Sequence, residues 1–343
     1  MKFKIAGGVG EHGRNSFYFE GEKFSILFDA GIKNKTLLPD LSKKEIKKIK
    51  YVFLSHIHKD HSGALDLIFQ NNRNCTLITS YETFKMLKKV YPTIYLEDID
   101  EKVDGMKIQW GRSGHAKGAV YFNLEFENKK IFYSGDVNFQ TKVYKYDLIE
   151  DQKADFAIID AAYGFNENSF EKQKEKLIKK IKEYLKITDK IFFPVPEYGR
   201  GLEILKILEE NFDYKIYGDK KIRKAFSCGF NNFWQNEKVK LDLFPIKNKM
   251  KGFIFLQDPQ LENKESYKTA IKIIENGGRG ISTGTLEKKS KAMKLLNKNK
   301  MSQVIVPTHL NFNQYREILE NNNFKMAIPF HTISFNCPKK FEI

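Results

Sequence analysis

From Phe53 to Leu65 the chain reads Phe-Leu-Ser-His-Ile-His-Lys-Asp-His-Ser-Gly-Ala-Leu, and this stretch holds three of its seven histidines. Imidazole nitrogens and carboxylate oxygens are the usual ligands of zinc and similar divalent ions. In an extended segment side chains alternate, so His56 and His58 project to the same side. Asp60 and His61 follow at a loop-to-helix transition and aim at a neighbouring point. One segment is thereby able to hold two metal ions a few ångströms apart. Unrelated surface or core histidines are the alternative, and their crowding around an aspartate argues against it.

Further groups extend the cluster. Ser113-Gly-His-Ala-Lys-Gly-Ala-Val120 sets His115 in a loop of small residues before a strand, and Phe132-Tyr-Ser-Gly-Asp-Val137 sets Asp136 at the end of another. Taken alone, an aspartate after Ser-Gly is a turn former. His309 and His331 each follow a short apolar run, with a helical segment between them.

The remaining pattern is that of a folded α/β protein. Hydrophobic residues make up 41% of 343 positions, enough for a real core. Residues 1–165 read as short strands and turns, with a hairpin over Ser16–Phe28 turning at Gly21, a buried strand at Tyr51–Leu54, and a second hairpin from Val120–Phe126 and Lys130–Tyr133. Ala64–Asn71 and Tyr81–Val90 read as helices. Long lysine-rich helices begin near Phe170 and Gly201, and Val304–Pro307, Asn313–Asn321 and Met326–Pro329 read as strand, helix and strand. Net charge is +16, of which residues 166–300 carry +12 (30 Lys and Arg against 18 Asp and Glu). Such concentration is what a polyanion-binding surface shows. Cys75, Cys228 and Cys337 are scattered and odd in number, so a reducing cytoplasm is expected. With no signal core and no membrane-length apolar run, no membrane partner is expected either.

Gly8-Val-Gly-Glu-His-Gly13 formally matches a dinucleotide-binding fingerprint. That fingerprint must open a helix whose N-terminus receives the phosphates, and here a strand pattern follows. The glycines are read as a tight turn beside the site instead.

Taken together, Asp29-Ala-Gly31, His56-x-His58-x-Asp60-His61, His115 and Asp136 resemble the metallo-β-lactamase superfamily in order and spacing. The resemblance narrows to the β-CASP nucleases. Gly7-Gly-Val-Gly-Glu-His-Gly-Arg-Asn15 is similar to the opening of ribonuclease J, with His12 replacing an aliphatic residue. Ser113-Gly-His-Ala-Lys-Gly-Ala119 is closer to the pre-mRNA 3′-end endonuclease branch. Ile158-Ile-Asp-Ala-Ala-Tyr-Gly164 is similar to the acidic motif, with Asp160 where Glu is common, and Tyr198-Gly-Arg-Gly-Leu-Glu-Ile204 resembles the start of a cap helix. Pro307-Thr-His-Leu310 and Pro329-Phe-His-Thr332 match more loosely.

The resemblance implies an α/β fold, an αββα sandwich with an inserted β-CASP-like α/β cap. Residues 1–165 would form the first part of the sandwich, 166–300 the basic cap and 301–343 the return segment. It also implies two divalent ions, zinc with manganese as the alternative. One would take His56, His58 and His115, the other Asp60, His61 and His331, with Asp136 bridging. His309, oriented by Asp160, would act as general acid in phosphodiester hydrolysis that leaves a 5′-phosphate and a 3′-hydroxyl. Arg200 would grip a substrate phosphate, a role as open as that of an ordinary arginine at a helix start. His12 is expected near the mouth of the site. The histidine at 331 points to single-stranded RNA as the partner. The rival classes are a DNA nuclease of the same fold, a small-molecule metallo-hydrolase acting on a thioester, lactone or lactam, and a non-catalytic nucleic-acid-binding protein. A homodimer is compatible with the sequence.

Overall fold

The computed structural model describes residues 1–33, 36–227, 231–236, 243–247, 250–335 and 337–342. The chain forms two units, the first made of Met1–Phe139, Lys145–Glu167 and His309–Ile343, the second of Gln140–Tyr144 and Asn168–Thr308.

The first unit contains two large sheets. One runs in the order Lys340–Glu342, Lys2–Gly7, Ser16–Glu20, Ser25–Phe28, Ile49–Phe53, Thr76–Thr79 and Thr93–Tyr95. The other runs Ala327–Phe330, Phe156–Asp160, Lys129–Tyr133, Val120–Phe126, Met106–Arg112 and Lys102–Val103. Strands such as Ser25–Phe28 are buried on both faces, which is why they read as unbroken apolar runs. Alternation sorts their side chains between two environments. Phe28 and Phe53 turn inward to meet Phe122 of the facing sheet, at ring centroids of 5.9 and 5.5 Å. Phe3 and Phe156 meet across the same layer at 4.5 Å. Leu27 and Val52 turn outward and pack against Ile46, Leu65 and Ile68 from the helices Lys43–Lys48 and Leu65–Asn71. On the outer side of the second sheet, Phe132 and Ile159 pack with Leu310 and Ile318, the latter from the helix Phe312–Glu320. The result is a helix–sheet–sheet–helix sandwich.

Topology decides where the loops converge. Lys129–Tyr133, Phe156–Asp160 and Ala327–Phe330 are mutually parallel, with Tyr133 beside Ile158 and Asp160 beside Phe330. Asp136, Asp160 and His331 therefore lie at the same, C-terminal, end of these strands.

The second unit is a six-stranded sheet in the order Phe244–Pro245, Ile216–Gly218, Gly252–Gln257, Lys190–Val195, Arg279–Ser282 and Met301–Gln303, parallel at every described pairing. Phe253 and Phe255 face one core with Leu177, Ile181 and Leu208, whereas Ile254 and Leu256 face another with Ala270, Ile273 and Leu295. Helices cover both faces, as a parallel sheet requires. This unit carries 31 Lys and Arg against 17 Asp and Glu, or +14 of the chain's +16.

Two expectations change here. The return to the first unit falls at His309 rather than at 301, because Met301–Gln303 pairs with Arg279–Ser282 as an edge strand of the second unit. Val304–Pro307 is irregular rather than a strand, its Val304 and Val306 buried in the second unit's core. The segment Gln140–Tyr144 also joins that unit, anchored by Tyr144, whose hydroxyl donates to the Gly199 carbonyl at 3.1 Å. Cys75 is buried and Cys337 half-buried, both as free thiols, and Cys228 lies outside the described residues. Among the described residues no helix is long and apolar enough to cross a membrane.

Candidate metal centre

The loop after Ile49–Phe53 carries His56 and His58, and the short helix Lys59–Ser62 carries Asp60 and His61. Its approach to the neighbouring loop is close. A Cβ on Gly31 would lie 1.7 Å from the Asp60 carbonyl, so only glycine fits there.

Nε2 of His56, Nδ1 of His58 and Nε2 of His115 form one group, with 3.1 Å from His58 to each of the other two. Oδ2 of Asp136 stands 3.5 Å from Nε2 of both His56 and His115. Four ligand atoms at 2.0–2.1 Å from one ion form a tetrahedron with edges of about 3.3 Å. The observed spacings match that figure. A second group joins Asp60, His61, Asp136 and His331. Oδ1 of Asp136 lies 3.2 Å from Nε2 of His61 and 3.3 Å from Nδ1 of His331, while Nε2 of His331 lies 3.3 Å from Asp60. Asp136 thus turns one oxygen to each group. A third overlapping set comprises Asp136, Asp160, His309 and His331. The chemistry and spacing of these donors fit two divalent cations.

Electrostatics agree. Burial penalises charge on Asp136, yet His61, His331 and His309 around it hold its pKa well below the usual carboxylate range. Burial also opposes charge on His331, but Asp136 outweighs it and lifts the pKa to about 9. His61 is raised well above its ordinary value against the same burial, chiefly by Asp136 and Asp29. His56 goes the other way, lowered by burial and by the neighbouring His61. In this constellation protons occupy places that a cation would take, so metal uptake releases protons.

Groups outside the clusters fix the ring orientations. Asp29, fully buried and at φ 55°, accepts from the Ser55 amide and hydroxyl at 2.7 Å each and from the Tyr133 hydroxyl. It also accepts from Nδ1 of His61 at 2.6 Å, which leaves Nε2 of His61 facing the cluster. Carboxylates in this position set the tautomer of a ligating histidine. Ser55 contacts Nδ1 of His56 at 3.0 Å in the same way. The sequence showed Asp29 and Asn15 only as parts of matching motifs, and it gave Ser55 and Tyr133 no role, because their roles arise from contacts between distant strands.

His309 lies beside the clusters, 9% exposed, with Nδ1 3.0 Å from Asp160. Asp160 is itself pinned by the Val137 and Ala162 amides at 3.1 and 3.0 Å. His331 adopts φ 64°, a left-handed conformation costing on the order of 1 kcal/mol for a residue of this type. It is held there by its N–H, which donates to the Gly8 carbonyl at 2.6 Å. His12 is exposed and stands edge-on to His331 at 5.9 Å. The glycine loop opens no helix; the strand Ser16–Glu20 follows it. Arg200 belongs to the second unit, at the start of the helix Arg200–Asn211, where its Nη2 donates to Thr308 at 2.9 Å.

Comparison with known proteins places this geometry in a family. The metallo-beta-lactamase superfamily model matches residues 9–194. The chain is similar to Probable RNase MJ4 of Methanocaldococcus jannaschii, with 30% identity over 254 residues, covering 64% of this chain and 59% of that protein. It is also similar to RNase aCSPSF2 of Saccharolobus solfataricus, with 26% identity over 284 residues, covering 73% of this chain and 57% of that protein. The chain therefore spans less than two thirds of the length of these curated relatives. A protein of unknown function from Enterococcus faecalis V583 shares the fold, with a TM-score of 0.63 over 97% of this chain and 94% of that one at 15% identity. On the matched residues and the site they build, the chain belongs to the metallo-beta-lactamase superfamily and, within it, to the β-CASP group.

Proposed function

We propose that this protein is a metal-dependent nuclease that hydrolyses phosphodiester bonds of single-stranded RNA, leaving a 5′-phosphate and a 3′-hydroxyl. The observation that carries the reading is Asp136 shared between two histidine-rich groups, with the His309–Asp160 pair alongside. His56, His58 and His115 would hold one ion, Asp60, His61 and His331 the other, with Asp136 bridging. The expected metal is zinc, with manganese as the alternative. Bound as a pair, such ions supply a water acidic enough to ionise near neutral pH and neutralise charge on the phosphodiester oxygens.

The chain's own residues do the rest. Nδ1–H of His309 is engaged by Asp160, so Nε2 is the atom available to give a proton to the leaving 3′ oxygen. Arg200, whose buried Nε has no hydrogen-bond partner among the described residues, is the proposed phosphate grip. The charge of the second unit supports a polyanionic substrate over a small neutral one. The relatives named as ribonucleases support RNA over DNA.

The test is a side-by-side cleavage assay on matched single-stranded RNA and DNA oligonucleotides and a generic ester, under one metal and one salt. RNA should be cut fastest. Equal or faster DNA cleavage overturns the RNA assignment, and turnover of the ester alone overturns the nuclease reading.

A further inference from the structure

Asn15 is fully buried and sits against the second cluster. Its backbone N–H donates to the Asp60 carbonyl at 2.8 Å and its carbonyl accepts from Gly31 at 3.0 Å, so the residue is fixed beside the ligand-bearing loop. Its side-chain nitrogen lies 2.8 Å from Nε2 of His61. Its side-chain oxygen is buried and has no hydrogen-bond partner among the described residues. Leaving a buried amide oxygen unpaired costs on the order of 1–3 kcal/mol, so it calls for an explanation.

Nδ1 of His61 is committed to Asp29, so Nε2 is the only nitrogen this ring has for a cation. Once Nε2 gives its lone pair to an ion, it cannot accept a hydrogen bond from the Asn15 amide nitrogen. Half a turn about the last side-chain bond exchanges the amide's two ends, relieving the stranded N–H and bringing the orphaned oxygen round. The far end of the amide rests against Gly8, where a Cβ would come 2.5 Å from the Asn15 oxygen, so glycine there leaves space for it. Two ligand atoms about 2.1 Å from one ion and at right angles are about 3 Å apart. The observed 2.8 Å between the Asn15 amide and Nε2 of His61 fits that spacing.

We propose that Asn15 is a ligand of the second metal position, adding its side-chain oxygen to Asp60, His61, Asp136 and His331. The assignment rests on the two-metal reading above. It gives that position a fifth donor, a hard oxygen, which suits manganese(II) better than four-coordinate zinc.

The experiment is a chelator-competition titration of the full chain with manganese(II) and, separately, zinc(II), for wild type, Asn15→Ser, Asn15→Leu and Asn15→Asp. Serine is too short to reach the ion, and aspartate retains an oxygen. In Asn15→Ser, one of two manganese(II) ions should bind at least about tenfold more weakly, the other unchanged, with a smaller effect on zinc(II). Asn15→Asp should restore manganese(II) binding to wild-type strength or better. If Asn15→Leu fails to fold, the serine and aspartate pair still decides. Wild-type affinity for both manganese(II) ions in Asn15→Ser overturns the assignment alone. A wild type that takes up fewer than two ions overturns the two-metal reading and the assignment with it.

Discussion

Asp136 is 2% exposed and has five histidines within 3.8 Å, so it is the common neighbour of both groups and of His309. Asp136 belongs to all three candidate groups, so its replacement is expected to disturb both metal positions. His309 differs, since its Nδ1 is tied to Asp160 on the rim of the clusters. His309→Ala is therefore expected to leave two ions bound while slowing cleavage by about 10²–10⁴-fold, the scale of general acid–base catalysis. Substrates with a better leaving group should recover much of the rate. Elemental analysis alongside the kinetics separates the roles, because His309 also falls within the third overlapping ligand set. A fall in metal content would make it a ligand instead.

At the scale of elements, the helix Arg200–Asn211 holds an instructive residue. Glu203 is buried and accepts from the Thr141 hydroxyl and, at 3.2 Å, from the Lys142 amide, which fastens Gln140–Tyr144 to the second unit. Burial pushes its pKa up to about 7 despite those bonds. The native state therefore holds a proton that the unfolded state has lost between about pH 4.5 and 7, and stability falls as pH rises through that window. The loss is on the order of 3 kcal/mol by pH 8. Glu203→Gln should remove this component: urea melts at pH 5 and pH 8 should differ less in the variant than in wild type. Equal differences would show that the carboxyl titrates normally.

For the molecule as a whole, charge is divided unequally, with +14 on the unit formed by Gln140–Tyr144 and Asn168–Thr308 and +2 on the rest. Affinity for single-stranded nucleic acid should then fall steeply with salt, with a log–log slope of about −0.7 per phosphate neutralised. Exchanging three or four lysines of the helix Phe170–Leu185 for glutamine should leave the slope nearly unchanged if they form only a solvated face. A salt-insensitive affinity in wild type would point back to a small neutral substrate.

The sequence by itself determined the candidate ligand types and their grouping into motifs, because metal chemistry restricts the residues and a two-residue period sets which of them share a side. It likewise determined the hairpins at Ser16–Phe28 and Val120–Tyr133, where apolar runs and turn residues act locally. Only tertiary structure decided where Met301–Gln303 belongs, since a short apolar run fits either sheet and pairing with Arg279–Ser282 settles it. The same holds for the contacts of Asp29 and Tyr133 with His61, and for the stranded oxygen of Asn15. Residues 29, 61 and 133 meet because two sheets stack, and no local pattern encodes a contact made across that interface.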